Sequence, residues 1–313
     1  RGSGPPFRMA PQDVWLRIHW NGWGSGGAFQ IDPSNPEQAL HPQGDVLPNI
    51  IPFMKGIFEL ETVPHTPTVP QAKVIAQLPR PIICSGFMDA IKTALQPDQV
   101  STDGECRLCH TVGKNYRDLW RIRNGMIEKP PDAVLFPQSH ADVEAIMAAA
   151  VQQDVCLIPF GGGTNVVGAI EPDPTETKRM TVSVDMRRMQ RLLAVDKDSR
   201  TAVFEAGVLG PAIEEQLAAH GLTFGHDPDS FMHSTLGGWV ATRSSGANSN
   251  KYGDLEDMVL SLRVVTPRGT VTTPGQPRAV GPSMNEIFIG SEGVLGIITE
   301  CTVKCHPRPP QRY

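Results

Sequence analysis

The sequence predicts an α+β fold in which a small parallel sheet is followed by an antiparallel sheet, behind a mostly helical and irregular N-terminal region. Three observations predict it. Between Pro130 and Met186, apolar runs and one amphipathic stretch alternate as strand, helix, strand, strand, the order that builds parallel pairs. From Arg191 to Pro307, alternating runs face each other across short turns, as antiparallel strands do. Before about residue 125, prolines and glycines are frequent and no periodicity persists.

Taken in order, residues from Gln12 to Gly104 read as short helices and loops bounded by prolines. "WNGWG", Trp20 to Gly24, sets two tryptophans around turn residues and reads as an aromatic anchor for a loop. "DAVLFP" (132–137) is a short buried strand. "SHADVEAIMAAAVQQD" follows as a helix, capped by Ser139 with an acid three residues on and with Val143, Ile146, Met147 and Ala150 on one face. "CLIPF" (156–160) and "MTVSVDM" (180–186) supply the next two strands. "RLLAVDKDSRTAVFEAG" reads as two strands about a turn, and "PAIEEQLAAHG" as a helix opened by Pro211 and closed by Gly221. "GDLEDMVLSLRVVTPRGTVTT" is a further strand pair hinged at "PRG", and "GVLGIITECTVKCHP" a long last strand. Cys301 and Cys305 share one face of it and read as small core residues.

The 313 residues leave room for two domains or one large one, and 40% hydrophobic residues suffice for a packed core. A net charge of -5 gives no support to a nucleic-acid partner. No apolar run approaches the roughly 20 residues of a spanning helix. The six cysteines are expected to be free thiols. Cys106, Cys109 and His110 make up only half of a structural zinc site and no second half follows, so no metal is expected.

The most unusual stretch is "CLIPFGGGTNVVG", Cys156 to Gly168. Consecutive glycine N–H groups can converge on an anion without any cation present, which suits a pyrophosphate, although glycines also serve tight turns. It is not the Rossmann fingerprint, because the third glycine of that motif would fall at Val166. A second stretch, Gly225 to Val259, crowds Asp229, Ser230, Ser234, Thr235, Thr242, Arg243, Ser244 and Ser245 together with glycines and reads as a long functional loop. In a third, "GSEGVLGIIT", glycines lead into a buried strand where backbone meets ligand closely.

PxGGGTN, DPDSxxxSTxGGWxxTRxSG and GSEGxLGIIT, in that order, resemble the FAD-binding PCMH-type domain of the vanillyl-alcohol-oxidase superfamily. Within it, "WNGWG", "RNGMIEKPPDAVLFP", "GHDPDS", "KYGDLEDMV", "VVTPRG" and "PRAVGP" resemble the alkyldihydroxyacetonephosphate synthase family over roughly residues 12 to 310. The resemblance implies an N-terminal region over 1–128, a flavin domain of two α+β subdomains over 129–308, and in 309–313 the start of a linker to a C-terminal domain.

It implies non-covalent FAD, with the pyrophosphate on Pro159, Phe160, Gly161, Gly162, Gly163, Thr164 and Asn165, where the glycines leave room for the phosphates. Asp229, Ser230, Phe231, Met232, His233, Ser234 and Thr235 would line more of the flavin, with Thr242, Arg243, Ser244 and Ser245. Glu292, Gly293, Val294, Leu295, Gly296, Ile297 and Ile298 would complete the wall. Arg278 matches an arginine near the family's active site, where its fork suits a phosphate or carboxylate; a surface salt bridge is the alternative.

The implied activity is that of an alkylglycerone-phosphate synthase: redox-neutral exchange of the acyl chain of acyl-dihydroxyacetone phosphate for a fatty alcohol, with flavin as covalent catalyst. The implied substrates are small-molecule lipids, and the setting a peroxisome or related organelle. Peripheral membrane contact through further portions and a homodimer are expected with it. The family's substrate-covering portion, catalytic tyrosine and histidine cluster come after the point where these residues stop. Two other readings share the glycine loops: an FAD-linked oxidase or dehydrogenase of small 2-hydroxy acids, and a non-catalytic fragment.

Overall fold

The computed structural model describes residues 20–22, 30–32, 35–40, 46–62, 68–275 and 281–310. Its centre is two sheets. The first has strand order β4-β5-β7-β6, with β4 at Val100–Ser101, β5 at Ala133–Leu135, β6 at Cys156–Phe160 and β7 at Thr181–Asp185. Strands β5, β6 and β7 are parallel, as the strand-helix-strand reading requires, while β4 joins β5 antiparallel. β7 is buried along its whole length, which is why its sequence runs apolar instead of alternating.

The crossover between β5 and β6 is helix α6, His140–Gln153; the preceding α1 to α5 lie at Ile50–Phe58, Gln71–Gln77, Ser85–Ala94, Gly104–Cys109 and Tyr116–Arg123. The Ser139 side chain accepts from the Asp142 amide, as a cap should. α3 and β4 belong to the N-terminal region by sequence but share a core with α6 and the first sheet. The described residues between 30 and 47 differ from the expected helices and loops. They form an antiparallel trio, β1 Gln30–Asp32, β2 Asn35–Leu40 and β3 Val46–Leu47, through backbone pairing that their proline-rich, polar sequence does not advertise.

The second sheet is antiparallel, in the order β12-β11-β13-β9-β8. Its strands are β8 Leu192–Asp196, β9 Thr201–Glu205, β11 Val259–Thr266, β12 Gly269–Thr272 and β13 Ile297–Lys304. Helix α7, Gly210–Ala218, packs Ile213 and Leu217 into its core beside Phe204, and Cys301 and Cys305 lie buried there. A short pair, β10 Leu222–Thr223 with β14 His306–Pro307, ties the chain end to the turn after α7.

The stretch from Gly225 to Val259 is not one long loop. It holds α8 Leu236–Thr242, α9 Ser249–Tyr252 and α10 Leu255–Met258. α8 forms despite two glycines because Leu236, Trp239 and Val240 are buried in the second core, and packing overrides propensity. A last short helix, α11 Asn285–Phe288, precedes β13.

Candidate functional site

A cavity of about 630 Å³ opens where the C-terminal end of β6 meets α8 and the start of β13. Open α/β sheets hold ligands at this end of their strands. One wall is Pro159 to Asn165; the others come from Pro228 to Ser230, Ser234 and Thr235, from α8, and from Glu292, Gly293 and Gly296 to Ile298.

The glycines are required by the packing of the protein itself. A Cβ on Gly161 would overlap Oγ1 of Thr235, and one on Gly162 would overlap the carbonyl oxygen of His233. Gly163 has φ +69°, and its Cβ would come within 2.6 Å of the Phe160 ring. The loop is bare because it threads against the 233–234 backbone, the Thr235 side chain and the Phe160 ring.

What the loop offers a ligand is amide. Among the described residues, the N–H groups of Gly161, Gly162, Gly163 and Thr164 meet no protein acceptor, although Gly162 and Gly163 are buried. Amides that line a cavity and meet no protein acceptor suit an anion. The residues therefore fit the diphosphate of a dinucleotide. The Asn165 side chain is engaged otherwise, since its Oδ1 accepts from the amides of Val167 and Ala169, both at 3.0 Å.

Most hydroxyls of the second stretch hold the scaffold. Thr235 Oγ1 caps α8 by accepting from the Gly238 amide at 3.3 Å, and Thr242 donates back to the Gly238 carbonyl at 2.9 Å. Ser234 accepts from the Trp239 indole at 2.6 Å and donates to the Ser230 carbonyl at 2.8 Å. Ser244 shares a 2.7 Å hydrogen bond with Nε2 of His226, whose pKa burial pushes down to about 4, so that ring is neutral. That bond serves Ser244, which lines the cavity.

Several residues expected at the flavin lie elsewhere. Phe231 stacks on Trp239 against the second core, and Met232 and Ser245 are exposed. His233 contributes its carbonyl, the atom that excludes a side chain from Gly162. Arg243 turns outward in a left-handed conformation and pairs with Glu256 at 3.0 Å and Glu286 at 2.9 Å. Val294 and Leu295 are exposed, Val294 on a neighbouring cleft of about 230 Å³ behind Pro159 and Gly293. Arg278 lies outside the described residues.

Sequence reading missed the α8 face, Gly237, Gly238 and Ala241, and the apolar floor of Ile170, Met186 and Ala206. The signal available was "LGGWVAT" itself, small residues at helical spacing opposite Trp239 and Val240. Cys106, Cys109 and His110 do not face one centre, because both ring nitrogens of His110 already have protein partners, Cys106 O and Asp185.

Residues 131–275 match the family described as "FAD binding domain". Fold, cavity and match together define the class: the chain carries an FAD-binding domain, and FAD is its cofactor. Within that class the resemblance to alkyldihydroxyacetonephosphate synthases is borne out along nearly the whole chain. The synthase of Trypanosoma brucei brucei is 48% identical over 309 residues, 96% of this chain and 50% of the relative. A solved alkyldihydroxyacetonephosphate synthase superposes with a TM-score of 0.85 at 40% identity, over 95% of this chain and 55% of that one. The D-lactate dehydrogenase (cytochrome) 1 of Saccharomyces cerevisiae is 34% identical over 58% of this chain and 31% of the relative. The chain spans about half the length of the synthases it matches.

Proposed function

We propose that these residues are the flavin-binding part of an alkylglycerone-phosphate synthase, which exchanges the acyl chain of acyl-dihydroxyacetone phosphate for a fatty alcohol. The observation that carries this reading is the extent of similarity. It covers 96% of the chain, N-terminal helices included, whereas the D-lactate dehydrogenase match covers 58%.

In this reading the amides of Gly161 to Thr164 take the diphosphate. The small face of α8 accepts a flat ring, and Ile297, Ile298, Met186 and Ile170 keep water from it. Among the described residues, those lining the cavity include no histidine, cysteine or tyrosine, which supports non-covalent binding. When bound, the flavin supplies covalent catalysis in a redox-neutral exchange. Arg278 is assigned, on resemblance, to the phosphate or to charge developing near the ring. Lipid substrates, a homodimer, peripheral membrane contact and a peroxisomal or related compartment go with the same assignment.

Full-length protein containing this chain, loaded with FAD, tests it. Bleaching of the flavin by an acylated triose phosphate without added reductant, with incorporation of labelled fatty alcohol, is expected. Bleaching by lactate or glycolate in its place would overturn the synthase reading in favour of a 2-hydroxy-acid dehydrogenase.

A further inference from the structure

A buried charged cluster lies directly behind the glycine loop. His110 follows α4 and is 1% exposed. Its Nδ1 is 2.7 Å from the Cys106 carbonyl oxygen and its Nε2 is 2.9 Å from Oδ2 of Asp185. A carbonyl and a carboxylate both accept, so both ring nitrogens donate and the ring is an imidazolium. Burial opposes that charge, but the Asp185 carboxylate and the Cys106 side chain, whose Sγ is 3.9 Å from Nδ1, outweigh it and raise the pKa to about 9. Asp185, although fully buried, is held below the usual carboxylate range by Arg187 and His110. Arg187 reaches the same carboxylate through Nε at 3.0 Å and Nη2 at 2.6 Å. The His110 imidazolium and the Arg187 guanidinium thus both meet the Asp185 carboxylate.

Phe160 connects this cluster to the loop. Its ring lies 4.4 Å from the His110 ring, and 5.5 Å from the Arg187 guanidinium, centroid distances both, while its tip backs Gly163. Phe136 closes the other side of His110 edge-on at 5.9 Å. A few residues on, the Lys114 amide donates to the Asn165 carbonyl at 2.8 Å. Gly113 sits so close to that carbonyl that a Cβ would overlap it. The segment 110–114 therefore grips the glycine loop at both ends, through Phe160 before it and Asn165 after it.

We propose that His110 is a positioning residue for the cofactor's diphosphate: pinned by Asp185, it fixes Phe160 and Gly163 and places a positive charge behind the loop that receives the phosphates. This rests on reading 161–165 as the diphosphate loop. Loop amides alone select an anion by direction; a charge behind an apolar ring adds attraction that salt screens little.

The charged and titratable groups around His110 are Cys106 on its own helix, Asp185 and Arg187 at the end of β7, Arg188 over Phe136, and Cys109 and Lys114 in the adjoining turn. Burial pushes Cys109 up to about 12 and Lys114 down to about 8, so Lys114 is the group whose titration must be separated from that of His110.

The test titrates the 313-residue chain with FAD, with ADP and with riboflavin, which lacks phosphate, from neutral pH upward through about 9. FAD and ADP affinity should fall about tenfold as His110 loses its proton, riboflavin affinity should not, and Lys114→Met should keep the step at about 9. His110→Phe, which keeps a ring against Phe160, should show the weakened affinity already at neutral pH and no step. Unmodified affinity and an unmodified pH profile in His110→Phe would overturn the proposal. So would an equal loss for riboflavin, which is what a merely structural residue gives. Should that variant not fold, a constant ratio of FAD to riboflavin affinity across the titration of the unmodified chain overturns it. Absence of saturable FAD binding by the unmodified chain would overturn the loop reading itself, and the proposal with it.

Discussion

Gly162 answers to a constraint that its sequence does not display. A glycine run after an apolar strand was legible as a ligand loop, but sequence carries no information on what lies beside each missing Cβ. Here the neighbour is the 233–234 backbone, brought in from about seventy residues away. The expected consequence differs accordingly. Gly162→Ala should destabilise the apo-protein by about 1–3 kcal/mol through overpacking and displace the loop, so the denaturation midpoint falls before any flavin is added. An unchanged midpoint with lost flavin binding would restore the phosphate explanation. The same blindness applies to Thr235, Ser234 and Thr242, which were legible as a polar cluster. Whether a hydroxyl faces a ligand or caps a helix depends on the fold around it, and these three hold α8.

Elements with regular periodicity were legible and those made by tertiary contact were not. β5, α6, β6 and β7 were readable because a capped amphipathic helix lies between apolar strands. α8 was hidden by its glycines, and β1 to β3 by prolines and polar residues. What no pattern announced is how the two subdomains are held together. At the start of α6, His140 reaches across to the second sheet, with Nδ1 2.8 Å from Thr299 Oγ1 and Nε2 3.1 Å from Thr270 Oγ1. Thr270 also donates to Glu144 one turn along the helix, and Val265 and Ile297 of the second sheet enter the first core beneath. This latch fixes the separation of the two walls of the cavity. His140→Ala should lower stability by about 1–2 kcal/mol and weaken FAD binding, because the cavity walls are no longer held at one spacing. A thermal melt with a parallel FAD titration checks both, and stability loss with unchanged affinity would confine His140 to the fold.

At the scale of the whole molecule, binding and chemistry separate. The walls that fit FAD run from Pro159 to Ile298, but among the described residues the acidic or basic side chains lining the cavity are Asp229 and Glu292 alone. Neither a cation for a substrate phosphate nor a basic proton-transfer group faces it among the described residues. Positioned acid-base groups contribute roughly 10²- to 10⁴-fold, and an open site leaves the reacting centre wet, so losing both suppresses turnover far more than it suppresses binding. The chain spans 50% of the Trypanosoma synthase, which leaves ample sequence in such proteins for a substrate cover. Residues 1–313 expressed alone should therefore bind FAD yet convert no labelled fatty alcohol into ether lipid, while a full-length version does both. Ether lipid formed by the 313 residues at the full-length rate would place the catalytic groups within this stretch, and would turn attention to Asp229, Glu292 and Arg278 as the groups that carry the reaction.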